Sequence, residues 1–316
     1  MLVLNILLLI VGMVLMIKGA DFFVDGASNV AKALKIPTLI IGLTLVSIGT
    51  SAPELAVSVA SAFKHDSAMS LGNVIGSNAF NVFVVIGASA LMIPLVVSKD
   101  VARKDIPILL GIYLLLGLFA FVIDPLVIDL FEGIVIFALF FVYTIYLILR
   151  AKGEPQPEED EKESEKKKPW WLNLIYIIGG VAGIILGGVW VVDSAEFIAA
   201  KLGMSTNLIG LTIVAVGTSL PELVTSVVAA KKGENDIAIG NAIGSCMFNI
   251  VLILGLSSII YPLSLEWSQL VDFIVMFISV LLIFVFSFKS YKVNKWQGIV
   301  LLICYVGYLS FIIVRN

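Results

Sequence analysis

Charge is scarce in this chain. Asp, Glu, Lys and Arg make up 14% of its 316 residues, where a soluble domain carries about a quarter. Histidine occurs once, at position 65, and cysteine twice, at 246 and 304. That leaves no ligand set for a zinc, copper or iron centre and no disulfide framework. Cys246 and Cys304 each lie in an apolar run and read as small buried hydrophobes. A formal net charge of −3 supplies no basic footprint for a nucleic acid. What fills the chain is apolar: 60% is hydrophobic and mean hydropathy is +1.09. A single core cannot hide that much apolar surface, so lipid is the expected solvent.

A bilayer core about 30 Å thick takes roughly 20 apolar residues per helix. Ten such runs occur, over 2–24, 38–62, 69–96, 106–123, 128–150, 170–196, 206–230, 237–262, 269–288 and 295–313. They are continuous rather than alternating, as in IVIFALFFVYTIYLIL, which favours helices over a barrel. The first run is too long for the apolar part of a cleavable leader, and no Lys or Arg precedes it. With the amino terminus outside, the inward loops collect sixteen Lys and Arg, and the outward side only Lys64, Lys201 and Arg315. The positive-inside rule then predicts both termini outside, in the cell membrane. Trp170, Trp171, Trp267 and Trp296 fall at span ends, where interfacial anchors belong.

Residues 151–169 break the apolar pattern, with seven acids against five bases and almost nothing to pack. They read as a flexible charged cytoplasmic linker, not as a cation site. The linker divides the chain into domains 1–150 and 170–316. Residues 41–95 align without a gap on 209–263, and 26 of the 55 pairs are identical. Shared GTSxPE, GNxIGS and FN strings go beyond what apolar composition produces by chance. Each half holds five spans, an odd number, so the second copy enters the membrane from the opposite side. The predicted fold is an all-α membrane protein of ten transmembrane helices, arranged as two inverted five-helix repeats. In that architecture the substrate site lies near the midplane, between the repeats.

Glu54 and Glu222, in GTSAPE and GTSLPE, lie mid-span. A carboxylate there costs about 2.5–3.5 kcal/mol on insertion scales, so it should face the protein interior and a cation. Thr50 and Thr218 stand four residues before each acid, which on a continuous helix shares its face. Ser51 and Ser219 stand three before. Pro53 and Pro221 have no N–H for the carbonyls of Gly49 and Gly217, leaving main-chain oxygen free near the acid. In GNVIGSNAFN and GNAIGSCMFN, Ser77 with Asn81 and Ser245 with Asn249 add polar stripes. Gly72 with Gly76 and Gly240 with Gly244 form small-residue faces for close helix approach. The ten named side chains offer up to twelve oxygens, a hard donor set. Calcium takes 6–8 oxygens, and two carboxylates balance one divalent ion. The remaining oxygens suit several monovalent ions in overlapping sites, and competition between the two kinds of ion at an alternately exposed site gives exchange.

At these strings the chain resembles the calcium/cation antiporter superfamily on its sodium/calcium exchanger side, over all ten spans. The resemblance implies calcium export driven by sodium entry, electrogenic, through a central four-helix site. It implies that Glu54 and Glu222 are shared ligands. Thr50, Ser51 and Ser77 would flank one sodium site, and Thr218, Ser219 and Ser245 its mirror. The carbonyls of Ser47 and Ala215 would join them, and Asn81 and Asn249 would line the middle. Some relatives carry Asp at the position of Asn249, so this chain's site is limited to −2. The transported ions are calcium and sodium. No cofactor, nucleic acid or obligatory protein partner is expected, only inorganic cations and the bilayer. The rival reading is a proton-coupled calcium or manganese antiporter on the same scaffold. An intramembrane enzyme is disfavoured, because Ser77 and Ser245 have no His or Lys as base. Asp25 and Asp193, which also match across the halves, read as interfacial or packing groups, and His65 as an exposed loop residue.

Overall fold

The apolar runs fold as helices, the form that satisfies every backbone N–H and C=O within one segment and so tolerates lipid. A computed structural model describes residues 1–123, 125–153, 170–203 and 215–315. Its helices are α1 (Leu2–Leu34), α2 (Thr38–Thr50), α3 (Ala52–Phe63), α4 (Ser67–Met92), α5 (Val101–Ile123) and α6 (Leu130–Gly153). After the linker come α7 (Trp170–Lys201), α8 (Leu220–Lys231), α9 (Asn235–Ile260), α10 (Gln269–Ser290) and α11 (Lys295–Arg315). Eight of these are each long and apolar enough to cross a membrane, and α2 with α3 makes a ninth candidate bent by 51°. The expected span 206–230 is described only from Ala215, where one turn, Ala215–Gly217, leads to α8. Residues 206–214 and the linker from 154 to 169 lie outside the described residues.

The helix-only expectation needs one amendment. Four two-residue strands, β1 (Leu95–Val96), β2 (Val127–Ile128), β3 (Leu263–Ser264) and β4 (Lys292–Val293), pair antiparallel as β1·β4 and β2·β3. The third span therefore stops at Met92 rather than 96. Pro94 excludes the helical conformation from the residue before it, and Ile93 is extended at φ −142°, ψ 134°. Tyr261 before Pro262 repeats this at φ −151°, ψ 130°.

The duplication extends to element boundaries. The residue numbers of α3 and α8, α4 and α9, and β1 and β3 differ by the same 168 at both ends, and the starts of α1 and α7 and of α5 and α10 do too. The wide, π-type turns Asn81–Ile86 and Asn249–Leu254 also correspond. Such turns mark functional positions within helices. An arginine clasps the last two long helices of each half, Arg150 to Asp105 at 2.8 Å and Arg315 to Asp272 at 2.9 Å.

α1 and α7 pack along a seam of glycines. A Cβ on Gly12 would lie 2.8 Å from the Gly187 carbonyl oxygen, one on Gly19 2.8 Å from that of Gly180, and one on Gly26 3.0 Å from that of Asn173. Partner numbers fall as α1 numbers rise, so the helices are antiparallel. Gly187 is the counterpart of Gly19, and Gly180 of Gly12, which makes the seam self-complementary as a two-fold contact must be. At the molecule's centre stand α4 and α9, with 78% of their most apolar windows buried, against 17% in α1, α6 and α11. The latter present their apolar surface outward, to lipid. Trp170, Trp171, Trp267 and Trp296 are all exposed at helix ends.

Candidate cation-binding site

Two carboxyl groups lie wholly inside this helical body: Glu54 and Glu222 are both 0% exposed. Each sits in the first turn of a helix that begins just after a break. At Ser51 (φ −82°, ψ 10°) and Ser219 (φ −92°, ψ 4°) the chain leaves helical geometry, and Pro53 and Pro221 occupy the starts of α3 and α8. Proline suits a first helical turn, where its missing N–H is no loss.

The break rearranges which groups meet. Thr50 and Glu54 are not on one continuous helix, so their spacing of four does not place the hydroxyl beside its own acid. Instead the bonds cross between halves. Ser51 Oγ donates to Glu222 Oε1 at 2.7 Å, and Ser219 Oγ donates to Glu54 Oε1 at 3.0 Å. Ser77 Oγ reaches Glu54 Oε1, and Ser245 Oγ reaches Glu222 Oε1, each at 3.5 Å. Glu54 thus stands with Ser77 and Ser219, and Glu222 with Ser51 and Ser245.

Thr50 Oγ1 donates to Asn241 Oδ1 at 2.9 Å, and Thr218 Oγ1 to Asn73 Oδ1 at 3.4 Å. Spacing from the acids does not point to Asn73 and Asn241, although the second letter of each GNxIGS string is the signal. Their amides also donate to the main-chain carbonyls of Glu54 (3.0 Å) and Glu222 (3.3 Å), and to Ser58 and Ser226 (2.8 and 2.9 Å). The Ser47 carbonyl accepts from Ser51 N at 2.9 Å and from Thr50 Oγ1 at 3.3 Å. Ala215 opens the turn before the second break. Asn81 and Asn249, fully buried, begin the wide turns of α4 and α9.

The close approach expected of the small-residue faces is seen on one side. Gly240 and Gly244 do meet α2: a Cβ on Gly244 would lie 2.7 Å from Ser47 Oγ. The surface that corresponds for Gly72 and Gly76, residues 210–215, falls mostly outside the described residues.

Buried polar atoms are almost always hydrogen-bonded, so those that are not are informative. Glu54 Oε2, Glu222 Oε2, Asn81 Oδ1 and Nδ2, and Asn249 Oδ1 have no protein partner among the described residues. The two carboxylates are held by serine hydroxyls, and the unpartnered carboxylate and amide oxygens are all hard donors. They fit a hard cation. No group of three or more His, Cys, Asp or Glu that could hold a softer metal occurs among the described residues. Away from the site, Asp25 pairs with Lys232 at 2.7 Å, and Asp193 is exposed. His65 is exposed and stacks on Tyr261 with ring centres 4.1 Å apart.

Known proteins resemble this chain over nearly its whole length. The family profile described as "Sodium/calcium exchanger protein" matches residues 4–149 and 172–314, two segments that flank the charged stretch. The chain is 37% identical over 307 residues to the "Putative antiporter CaxA" of Alkalimonas amylolytica, covering 95% of each. It is 36% identical over 344 residues to the "Sodium/calcium exchanger MaX1" of Methanosarcina acetivorans, covering 98% of each. Among solved structures it resembles the sodium-calcium exchanger NCX_Mj, with a TM-score of 0.84 and 31% identity, over 98% of this chain and 99% of that one.

Proposed function

This chain belongs to the sodium/calcium exchanger family, a family of membrane antiporters and not of enzymes, and from that membership we propose that it exchanges sodium for calcium by alternating access, with net movement of charge. The observation that carries this reading is the pair of buried glutamates. Each has one oxygen held by serines, one of them from the opposite half, and the other without a protein partner. Two carboxylates neutralise one calcium ion. The same oxygens, with Ser51, Ser77, Ser219, Ser245, Thr50, Thr218, Asn81, Asn249 and the carbonyls of Ser47 and Ala215, serve sodium ions that compete for them. Competition couples the two fluxes, because the acids cannot serve both ions at once.

The scaffold we propose is ten crossings in two inverted repeats, 1–150 and 170–316, joined by a cytoplasmic linker at 151–169. The antiparallel α1·α7 seam supports the inversion. Strand pairing supports the count. β1 follows α4 and β4 follows α10, yet they pair, so the turns after those helices share a face. Five long helices lie between them (α5, α6, α7, α9 and α10), and a shared face requires an even number of crossings. The segment ending in α8 supplies the sixth. On the positive-inside rule, both termini then face out from the cell membrane. No protein partner is required by this reading.

Calcium uptake into proteoliposomes under an imposed sodium gradient, with pH clamped by an ionophore, tests the coupling. Sodium-driven uptake with an electrical response is expected. Uptake that ignores sodium and follows the proton gradient would replace this reading with proton exchange on the same two acids.

A further inference from the structure

Asn73 and Asn241 lie one step behind the candidate ligands, and each bonds three groups on two other segments at once. Asn241 on α9 accepts the Thr50 hydroxyl proton at 2.9 Å while donating to the Glu222 carbonyl and Ser226 Oγ on α8. Asn73 on α4 repeats this with Thr218, the Glu54 carbonyl and Ser58. A threonine hydroxyl has one proton and two lone pairs. The Thr50 proton has Asn241 Oδ1 at 2.9 Å as its nearer acceptor, against 3.3 Å for the Ser47 carbonyl; directed to Asn241, it leaves the lone pairs free for a cation. Groups of this kind orient metal ligands from behind. We propose that Asn241 and Asn73 are positioning residues that fix the hydroxyls of Thr50 and Thr218 as sodium ligands, each reaching across from the opposite half. This rests on the sodium/calcium reading above.

The test is a cycle of Thr50→Val, Asn241→Ala and both together, reading half-saturating sodium and calcium in proteoliposomes. Each single change is expected to raise the sodium value about three- to tenfold, the scale of intramembrane hydrogen bonds. The double should be no worse than Thr50→Val alone, and calcium should move less than twofold. Additive effects, or equal shifts for both ions, would overturn the proposal. If Asn241→Ala does not fold, Ser226→Ala removes one of the two acceptors that hold the Asn241 amide and should shift sodium in the same direction by less. Wild-type uptake without any sodium dependence would instead defeat the functional reading.

A second inference rests on charges outside the site. Lys232, just after α8, donates to the Asp21 main-chain carbonyl at 2.8 Å and to Asp25 Oδ1 at 2.7 Å, with Asp21 Oδ1 3.4 Å away. Beside it, Ser28 donates to Glu234 at 2.7 Å. These bonds fasten α1 to the end of the helix that carries Glu222. The counterparts of Asp25 and Lys232 under the repeat are Asp193 on α7 and Lys64, just after the helix that carries Glu54. Both are exposed, and among the described residues neither has an ion-pair partner. One pair is made and its two-fold mate is open. We infer that Asp25·Lys232 and Asp193·Lys64 are matched latches formed alternately, one on each face, as the protein exposes its site to one side and then the other. The latches are unequal, because Val189 stands where Asp21 adds a second acid. The equilibrium therefore leans toward the arrangement with Asp25·Lys232 closed.

Charge reversals separate this from ordinary surface charge. Asp193→Lys and Lys64→Asp should each change turnover about two- to fivefold, the range of exposed ion pairs. The double exchange should restore turnover, although the two residues are not paired in this structure. Asp25→Lys, Lys232→Asp and their double should behave likewise. Calcium binding to detergent-solubilised protein serves as the control and should stay within twofold in every variant. Independent, additive effects at Asp193 and Lys64 would overturn the inference.

Discussion

Position 78 is asparagine in the first half, and its counterpart, position 246, is cysteine in the second. Around them the halves agree: the same acid, serine and wide turn recur at matching numbers. This difference decides what happens to the two central asparagines. Asn78 Oδ1 accepts from Asn249 Nδ2 at 2.9 Å, and its own amide donates to the Cys246 carbonyl at 3.2 Å. Asn249 is thus held, with only its oxygen unpartnered. Cys246 has no amide to offer in return, and its thiol donates to the Asn78 carbonyl at 3.7 Å. Asn81 is left with both amide atoms unpartnered. Two halves equal in their acids are therefore unequal in the middle, and variants made in matched pairs can separate what the repeat shares from what it does not.

The largest effect tests the shared part. Glu54→Gln and Glu222→Gln should each lose at least about a hundredfold in calcium affinity by titration calorimetry. Removing one of two buried charges that face an ion costs about 3–5 kcal/mol, and about 1.4 kcal/mol is tenfold. The losses should match. Micromolar affinity surviving in one variant alone would break the equivalence of the halves at the site.

A smaller effect is expected at the two-fold seam. Gly180 and Gly179 are neighbours on α7, but a Cβ on Gly180 would lie 2.7 Å from the Gly19 carbonyl oxygen, while one on Gly179 meets nothing within 4 Å among the described residues. Gly180→Leu should cost about 1–3 kcal/mol of packing and lower the Tm of solubilised protein by several degrees. Gly179→Leu should leave it nearly unchanged. Equal Tm values would mean the seam does not hold the halves together.

Much of this was legible in the sequence because it is written in local patterns. Apolar runs of bilayer length predict the helices, and the GTSxPE and GNxIGS strings predict both the duplication and the two acids. What spacing could not predict are the contacts between segments more than 140 residues apart. Ser51 lies three residues from Glu54, yet it serves Glu222, because the chain breaks at Ser51 and a fixed offset on a helix no longer applies. Gly12, Gly19 and Gly26 recur every seven residues along α1, a visible pattern whose meaning depends on an antiparallel partner that one half does not contain. The strands β1–β4 are too short to show any alternation, and their partners lie in the other half.

The smallest effect returns to positions 78 and 246. Asn78→Ala removes the acceptor that holds the Asn249 amide and leaves that amide as unpartnered as Asn81's. An intramembrane hydrogen bond between side chains averages about 0.6 kcal/mol, so half-saturating sodium should rise about threefold. Cys246→Ala gives up weak thiol contacts, to the Asn78 carbonyl and to Tyr113, while the Cys246 carbonyl that Asn78 uses remains, so sodium should change less than twofold. Calcium, neutralised by the two glutamates, should respond to neither. If both substitutions move sodium equally, the held Asn249 and the unheld Asn81 contribute alike. The asymmetry between the halves would then be a packing difference with no consequence for the ions.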